Sequence, residues 1–183
     1  MKTHAARGPR RWPTPSTSTR TRPWRRSSGS SSGTFGGKQD LYLAALGRYR
    51  DRFSRPAFRA LAEDPRGLPA VAAFFAALVD ARCTGEYAGW GCLVANAHAG
   101  AEHATPEVRA LLDHHHHDEL RDALHAALRT ARDLGRLAPA ADPGTTADVL
   151  ALLAYGVNLR SRAGADAATL RTTTDAALAA ITA

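Results

Sequence analysis

The sequence predicts an all-α protein, a helical bundle of about six helices. Apolar residues recur three and four positions apart over long stretches. Several of those stretches open on a capping residue followed by proline and close on glycine. No stretch alternates apolar and polar residues with the period of two that a half-buried strand needs.

Each element has its own signal. In 39–54, Leu41, Tyr42, Ala45, Leu46, Tyr49 and Phe53 share helical spacing, and Pro56 is expected to lie beyond the helix end. Pro65-Arg66-Gly67 reads as a turn. Residues 68–83 form a nearly all-apolar helix whose Val71, Phe74, Phe75, Leu78 and Val79 cover most of its circumference, so it belongs in a core. Gly85, Gly89 and Gly91 mark a loop, and 92–101 is a short apolar helix. Thr105-Pro106-Glu107 combines a cap, proline at the first helical position and an acid near the positive end of the dipole. The helix it opens is expected to run to Leu134, with Gly135 as its C-terminal cap and Val108, Leu111, Leu112, Leu120, Leu124, Leu128 and Ala131 as its stripe. Asp142-Pro143 opens a helix through Arg162 that Gly164 ends, and Asp166 caps a last helix reaching Ile181.

Of the 183 residues, 44% are hydrophobic, enough for one real core, although alanine dominates and buries little area per residue. No window is apolar for long enough to span a membrane, and no apolar segment of a secretory leader stands at the start. Two cysteines, Cys83 and Cys92, make no disulfide framework, and a reduced, cytoplasmic setting is expected.

The net charge of +7 is concentrated at one end. Residues 1–38 hold nine Lys and Arg and no acid, which leaves 15 of the 24 basic residues against all 17 acids in the remainder, a net of −2. Residues 1–37 also contain no Leu, Ile or Val, and Trp12, Trp24 and Phe35 stand alone in Ser, Thr, Arg, Pro and Gly. Such a segment cannot bury enough apolar surface to fold by itself, so 1–37 is expected to be disordered and 38–183 to be the folded domain. An arginine-rich tail attracts polyanions without reading their sequence.

Three stretches resemble the TetR-type transcriptional regulators. Phe35-Gly36-Gly37-Lys38-Gln39-Asp40-Leu41-Tyr42 is similar to the junction where, in that family, an aromatic closes the recognition helix and a lysine leads into a linking helix. Gly91-Cys92-Leu93-Val94-Ala95-Asn96-Ala97 resembles the Gly-Cys-Leu segment of one large branch, and the run from Tyr155 to Ala165 resembles the end of that branch's penultimate helix. The resemblance spans 35–183. It implies a homodimer formed by the last two helices of each subunit, a pocket for a small, mostly apolar effector among the middle helices, and operator DNA as partner. On that reading Phe74, Phe75, Leu78, Cys92, Asn96 and Tyr155 line the pocket, with Asn96 and Tyr155 as the polar contacts that orient a ligand. Leu150, Leu153, Ala154 and Val157 form the dimer interface, and Lys38 occupies a position that meets a DNA phosphate. The competing account of the 144–162 helix is burial within one chain, and of the phenylalanines plain core.

The chain departs from the family ahead of Phe35. Three helices are required there, two of them a helix-turn-helix with aliphatic core positions. Residues 1–34 have none, and serine and glycine stand where the recognition helix should end. The segment is read as a shifted reading frame or a wrongly chosen start ahead of an intact body, against a genuine basic tail.

The run Asp113-His114-His115-His116-His117-Asp118-Glu119 places Asp113 with His117, and His114 with Asp118, on shared helix faces. His114, His117 and Asp118 are weak metal candidates, since four consecutive histidines point around all sides of a helix and no third ligand is fixed by spacing. The plainer account is a polar stretch with His115 or His116 against the core. His98, Glu102 and His103 form a second cluster for which a surface pair is the better account. Cys92 in an apolar helix start reads as a small core hydrophobe rather than a thiolate sensor. With no nucleophile elbow, phosphate loop or triad spacing, neither enzymatic activity nor a cofactor is expected. The leading expectation is a TetR-like regulator, a repressor in class, that senses an effector and dimerises without a recognisable head. The alternatives are a dimeric helical module holding nucleic acid non-specifically, and a metal-sensing bundle.

Overall fold

The computed structural model describes residues 37–100 and 105–183, without the side chain of His115. The expectations for residues 1–36, and for Glu102 and His103, lie outside the described residues. Among the described residues there are eight α-helices and no strand, apart from one bridge between Leu137 and Thr182. The helices are α1 (Lys38–Tyr49), α2 (Arg55–Glu63), α3 (Leu68–Cys83), α4 (Leu93–Ala99), α5 (Pro106–Leu112), α6 (Asp118–Asp133), α7 (Pro143–Arg162) and α8 (Ala167–Ala179).

Two pairs are joined without a break. A π-helical turn over Arg50–Ser54 carries α1 into α2, and another over Asp113–His117 carries α5 into α6. The eight helices therefore make six continuous rods, the number the sequence predicts. Pro56 does not end the first rod, as its sequence position led us to expect. It sits at the start of α2, directly after the π turn. Proline has no N–H for the carbonyl four residues back and its ring crowds that carbonyl; a widened turn accommodates both demands. The rod then continues to Glu63.

The capping signals act as the sequence predicts. Asp142 accepts a hydrogen bond from the Thr145 amide at 2.9 Å, and Asp166 from that of Thr169 at 2.7 Å. The Thr105 side chain accepts more weakly from Val108, at 3.5 Å. These bonds satisfy amides that the first helical turn leaves without partners.

The main core is built on α6, which packs chiefly against α7 and α2. Leu120, Leu124, Ala127, Leu128 and Ala131 of α6 meet Phe58 and Leu61 of α2, Val71 and Phe75 of α3, and Leu150, Ala151 and Ala154 of α7. Gly67 sets the approach of α3 to α6. It has φ +70°, and a Cβ there would lie 2.8 Å from the Ala131 Cα. A smaller cluster joins α1, α4 and α5 through Leu46, Cys92, Val94, Val108 and Leu112, and a third joins α3, α7 and α8 through Val79, Val157 and Leu170. Helix α3 is not enclosed all round, contrary to its composition. Ala72, Ala73, Ala76 and Ala77 face outward, small enough to leave little apolar area in water.

Among the described residues no helix is long and apolar enough to cross a membrane.

Candidate functional site

The rods enclose a cavity of about 90 Å³. Its walls come from both π turns and from α1, α2, α3, α4, α6 and α7. Phe53, Phe58, Phe74, Leu78 and Leu120 are among its apolar lining, and the rings of Phe58 and Phe74 lie tilted to one another with centroids 6.3 Å apart. At about 90 Å³ the space is smaller than the roughly 150 Å³ that admits a benzene ring, so a ring-sized ligand needs a side chain to move.

The polar wall has two parts. In the first, Arg82 Nε donates to Asn158 Oδ1 at 2.5 Å and Arg82 Nη2 to the Tyr49 hydroxyl at 3.3 Å. Asn158 is itself fixed, its amide nitrogen donating to the Ala154 carbonyl at 2.8 Å. Among the described residues no carboxylate lies within ion-pair distance of Arg82, whereas Arg50 and Arg55 of the first rod both reach Glu119. Burial raises the Tyr49 hydroxyl above its ordinary pKa, helped by Cys92 beside it and opposed by Arg82.

The second part is an aromatic and imidazole cluster around Tyr155. Its ring lies 5.1 Å from His98, 6.2 Å from His116 and 5.8 Å from His117, centroid to centroid. The Tyr155 hydroxyl and His116 Nδ1 are buried, and neither has a hydrogen-bond partner. His116 is 5% exposed, and its pKa is pushed down to about 4, first by burial and then by the like charge of His98, Arg50, His117 and Arg82. It is a neutral ring at neutral pH. Burial likewise holds the Tyr155 hydroxyl well above the usual phenol range. His98 is oriented from outside the cavity, with Nε2 3.0 Å from the Leu112 carbonyl and Nδ1 3.8 Å from Asp113.

Four of the six expected pocket residues, Phe74, Leu78, Cys92 and Tyr155, line this cavity. Phe75 does not. It is 1% exposed and packed in the main core, its ring edge-on to that of Phe74 with centroids 5.5 Å apart. Asn96 does not either. Its amide nitrogen donates to the Trp90 carbonyl at 2.9 Å and holds the loop before α4. Gly91 explains that loop: at φ +70° its bare Cα passes within reach of the Asn158 carbonyl and Asn96 Oδ1, 3.1 and 3.2 Å from where a Cβ would stand. Sequence reasoning missed Arg82, Asn158, Tyr49 and Ser54. Arg82 had a visible signal, being the single cation in α3, where Asp80 is the one other charged residue.

On α7, three of the four expected interface residues point inward. Leu150, Ala154 and Val157 are buried in the chain's own core and Leu153 packs against it. The apolar side chains that α7 presents outward are Val149, Leu152 and Leu159, which are 57%, 67% and 43% exposed. Thr145, Val149, Leu152, Gly156, Leu159 and Ala163 follow one another at spacings of four and three, a single outward seam. Lys38 is exposed at the first position of α1.

Of the metal candidates, His114 pairs with Asp118 at 3.3 Å on the surface, whereas His117 turns toward Tyr155. Among the described residues no three His, Cys, Asp or Glu side chains come together as a metal site.

Comparisons with known proteins agree with this architecture. A family model described as tetracyclin repressor-like, C-terminal domain, matches residues 67–177, more than half the chain. A solved structure, that of the regulatory protein TetR from Rhodobacter sphaeroides, superposes with a TM-score of 0.68 at 22% identity, over 81% of this chain and 78% of that one. No curated protein matches the chain. The structural likeness shares the fold, and the family match extends from the turn at Gly67 nearly to the end of α8. The chain therefore belongs to the TetR family of transcriptional regulators.

Proposed function

We propose that residues 38–183 are the effector-sensing and homodimerising body of this regulator, a cytoplasmic protein without catalytic activity. The cavity carries the reading. A space walled by aromatic rings, with a few convergent polar groups that lack partners, is how small-molecule sites are built. The outward seam of α7 supports a second copy as its cover, because Val149, Leu152 and Leu159 would otherwise leave a contiguous apolar strip in water. Gly156 at its centre permits close approach of a partner helix. Lys38, at the exposed start of α1, is the position from which a DNA-bound relative would meet a phosphate. Residues 1–37 contain no Leu, Ile or Val from which a helix-turn-helix core is made, so on this reading the chain dimerises and binds effector without reading an operator.

Thermal unfolding with a panel of single-ring compounds tests the sensing role. At least one should raise the midpoint of the natural chain and not that of Phe74→Trp, whose added bulk fills the cavity. A panel without effect on the natural chain would remove the reading. For the head, the full chain should bind its upstream DNA and scrambled DNA alike; preference for the native sequence would show that residues 1–37 form a reader.

A further inference from the structure

The effector class follows from what the cavity lacks. Arg82 enters it with a guanidinium whose protein partners, Asn158 Oδ1 and the Tyr49 hydroxyl, are both neutral. Those two bonds occupy two of its five N–H donors. His116, 5% exposed, brings a polar nitrogen without a partner to the same cavity, and Tyr155 brings a hydroxyl without one. The charge surrounding His116 comes from Arg50, Arg82, His98 and His117, all basic groups. Glu119, a half-buried acid at the start of α6, is committed to Arg55 at 3.1 Å and to Arg50 at 3.8 Å. A half-buried cation held by neutral groups keeps donors free toward the cavity, and a planar anion with two acceptor oxygens is the partner those donors fit.

Resting on the reading of this cavity as the effector site, we propose that it takes a small monocarboxylate, its charged end on Arg82 and its apolar body, one ring or a short branched chain, against Phe53, Phe58, Phe74 and Leu78. The modest volume sets the upper limit on that body. Tyr155 and His116 are the neutral groups that the second carboxylate oxygen can engage. The Arg82–Asn158 bond ties the ligand to α7, the helix that carries the outward seam.

Calorimetric titration of the full chain with benzoate and with benzamide, equal in shape and different in charge, tests this. Benzoate should bind at least about tenfold more tightly, the margin by which a charge-assisted hydrogen bond exceeds a neutral one. Arg82→Gln should weaken benzoate far more than benzamide and so erase the preference between them. Phe74→Trp should abolish both, which separates the cavity from adventitious sites on a basic protein. The ratio in the natural chain needs no variant, so a poorly folding Arg82→Gln would not shield the proposal. Benzamide binding as tightly as benzoate, or a benzoate preference that survives Arg82→Gln, would overturn the anionic assignment while leaving the cavity as a ligand site. Binding of neither compound would overturn the assignment, and the wider panel of single-ring compounds in the unfolding test then decides the sensing role by itself.

Discussion

Mild acid should destabilise this protein through one histidine. His116 is buried against Phe58 and Tyr155 as a neutral ring, and its folded pKa lies near 4 against an ordinary 6.5. Above the ordinary value neither state holds the proton and the histidine has no effect. Between the two values the unfolded chain binds a proton that the folded one refuses, so stability falls as the pH falls. One proton of difference corresponds to a slope of about 1.4 kcal/mol per pH unit. Integrated from the ordinary value downward, the loss is about 2 kcal/mol at about pH 5 and levels off near about 3 kcal/mol once the folded state is protonated as well. The assay is urea unfolding followed by far-ultraviolet circular dichroism at fixed protein concentration, from about pH 7.5 to about pH 5, on the natural chain and on His116→Leu. The variant removes the titrating ring and an unpartnered nitrogen, so at neutral pH it should be as stable as the natural chain or more so. Its pH dependence should be shallower by the amount above. The caps Asp142 and Asp166, whose carboxyls are held below the usual range by amide hydrogen bonds, contribute equally to both proteins and cancel. Parallel curves for the two proteins would refute the assignment of a neutral, desolvated His116.

Two further outcomes follow from packing. Gly67→Ala should cost about 2–4 kcal/mol in the same unfolding assay, from a left-handed backbone and a methyl forced against the α6 backbone at Ala131; a loss below 1 kcal/mol, by about the cost of ordinary surface changes, would mean the α3–α6 contact yields freely. Leu152→Glu should halve the mass measured by light scattering without altering the helical circular dichroism, because Leu152 is exposed in the single chain and central to the seam; an unchanged mass would place the subunit contact elsewhere, and Leu150→Glu, buried in the core, should instead unfold the chain.

Much of the fold was legible because it rests on local chemistry. Caps at Thr105, Asp142 and Asp166 and the glycines after α6 and α7 are short-range signals, and each marks a real helix end. The π turns were not legible. A stripe read along 105–134 assumes one pitch, whereas the buried positions Val108, Leu112, His116, Leu120 and Leu124 advance by four throughout, which an unbroken α-helix would carry off the core side. The widened turn at Asp113–His117 absorbs that drift, and it also turns His116 inward from a run that otherwise reads as surface. The division of α7 between core and seam was hidden for another reason. Leu150 and Leu152 are the same residue type two positions apart, and only the placement of α6 decides which is covered. Arg82 and Asn158 come from helices 76 residues apart in sequence, so no spacing rule could have paired them.

The π turns have one more consequence, which concerns the register of the first rod. At Arg50–Ser54 the helix holds more residues per turn than its neighbours, at the level where Phe53 and Ser54 meet the cavity. A helix advances about 100° per residue, so shortening or lengthening that turn by one residue would swing everything ahead of it by more than a quarter of a revolution about the axis. The far end of α1, where Lys38 stands, lies about 18 Å away along the rod. The cavity wall thus serves as the bearing of a shaft. Insertions and deletions that α1 tolerates elsewhere as a change of length would here be felt as a change of heading.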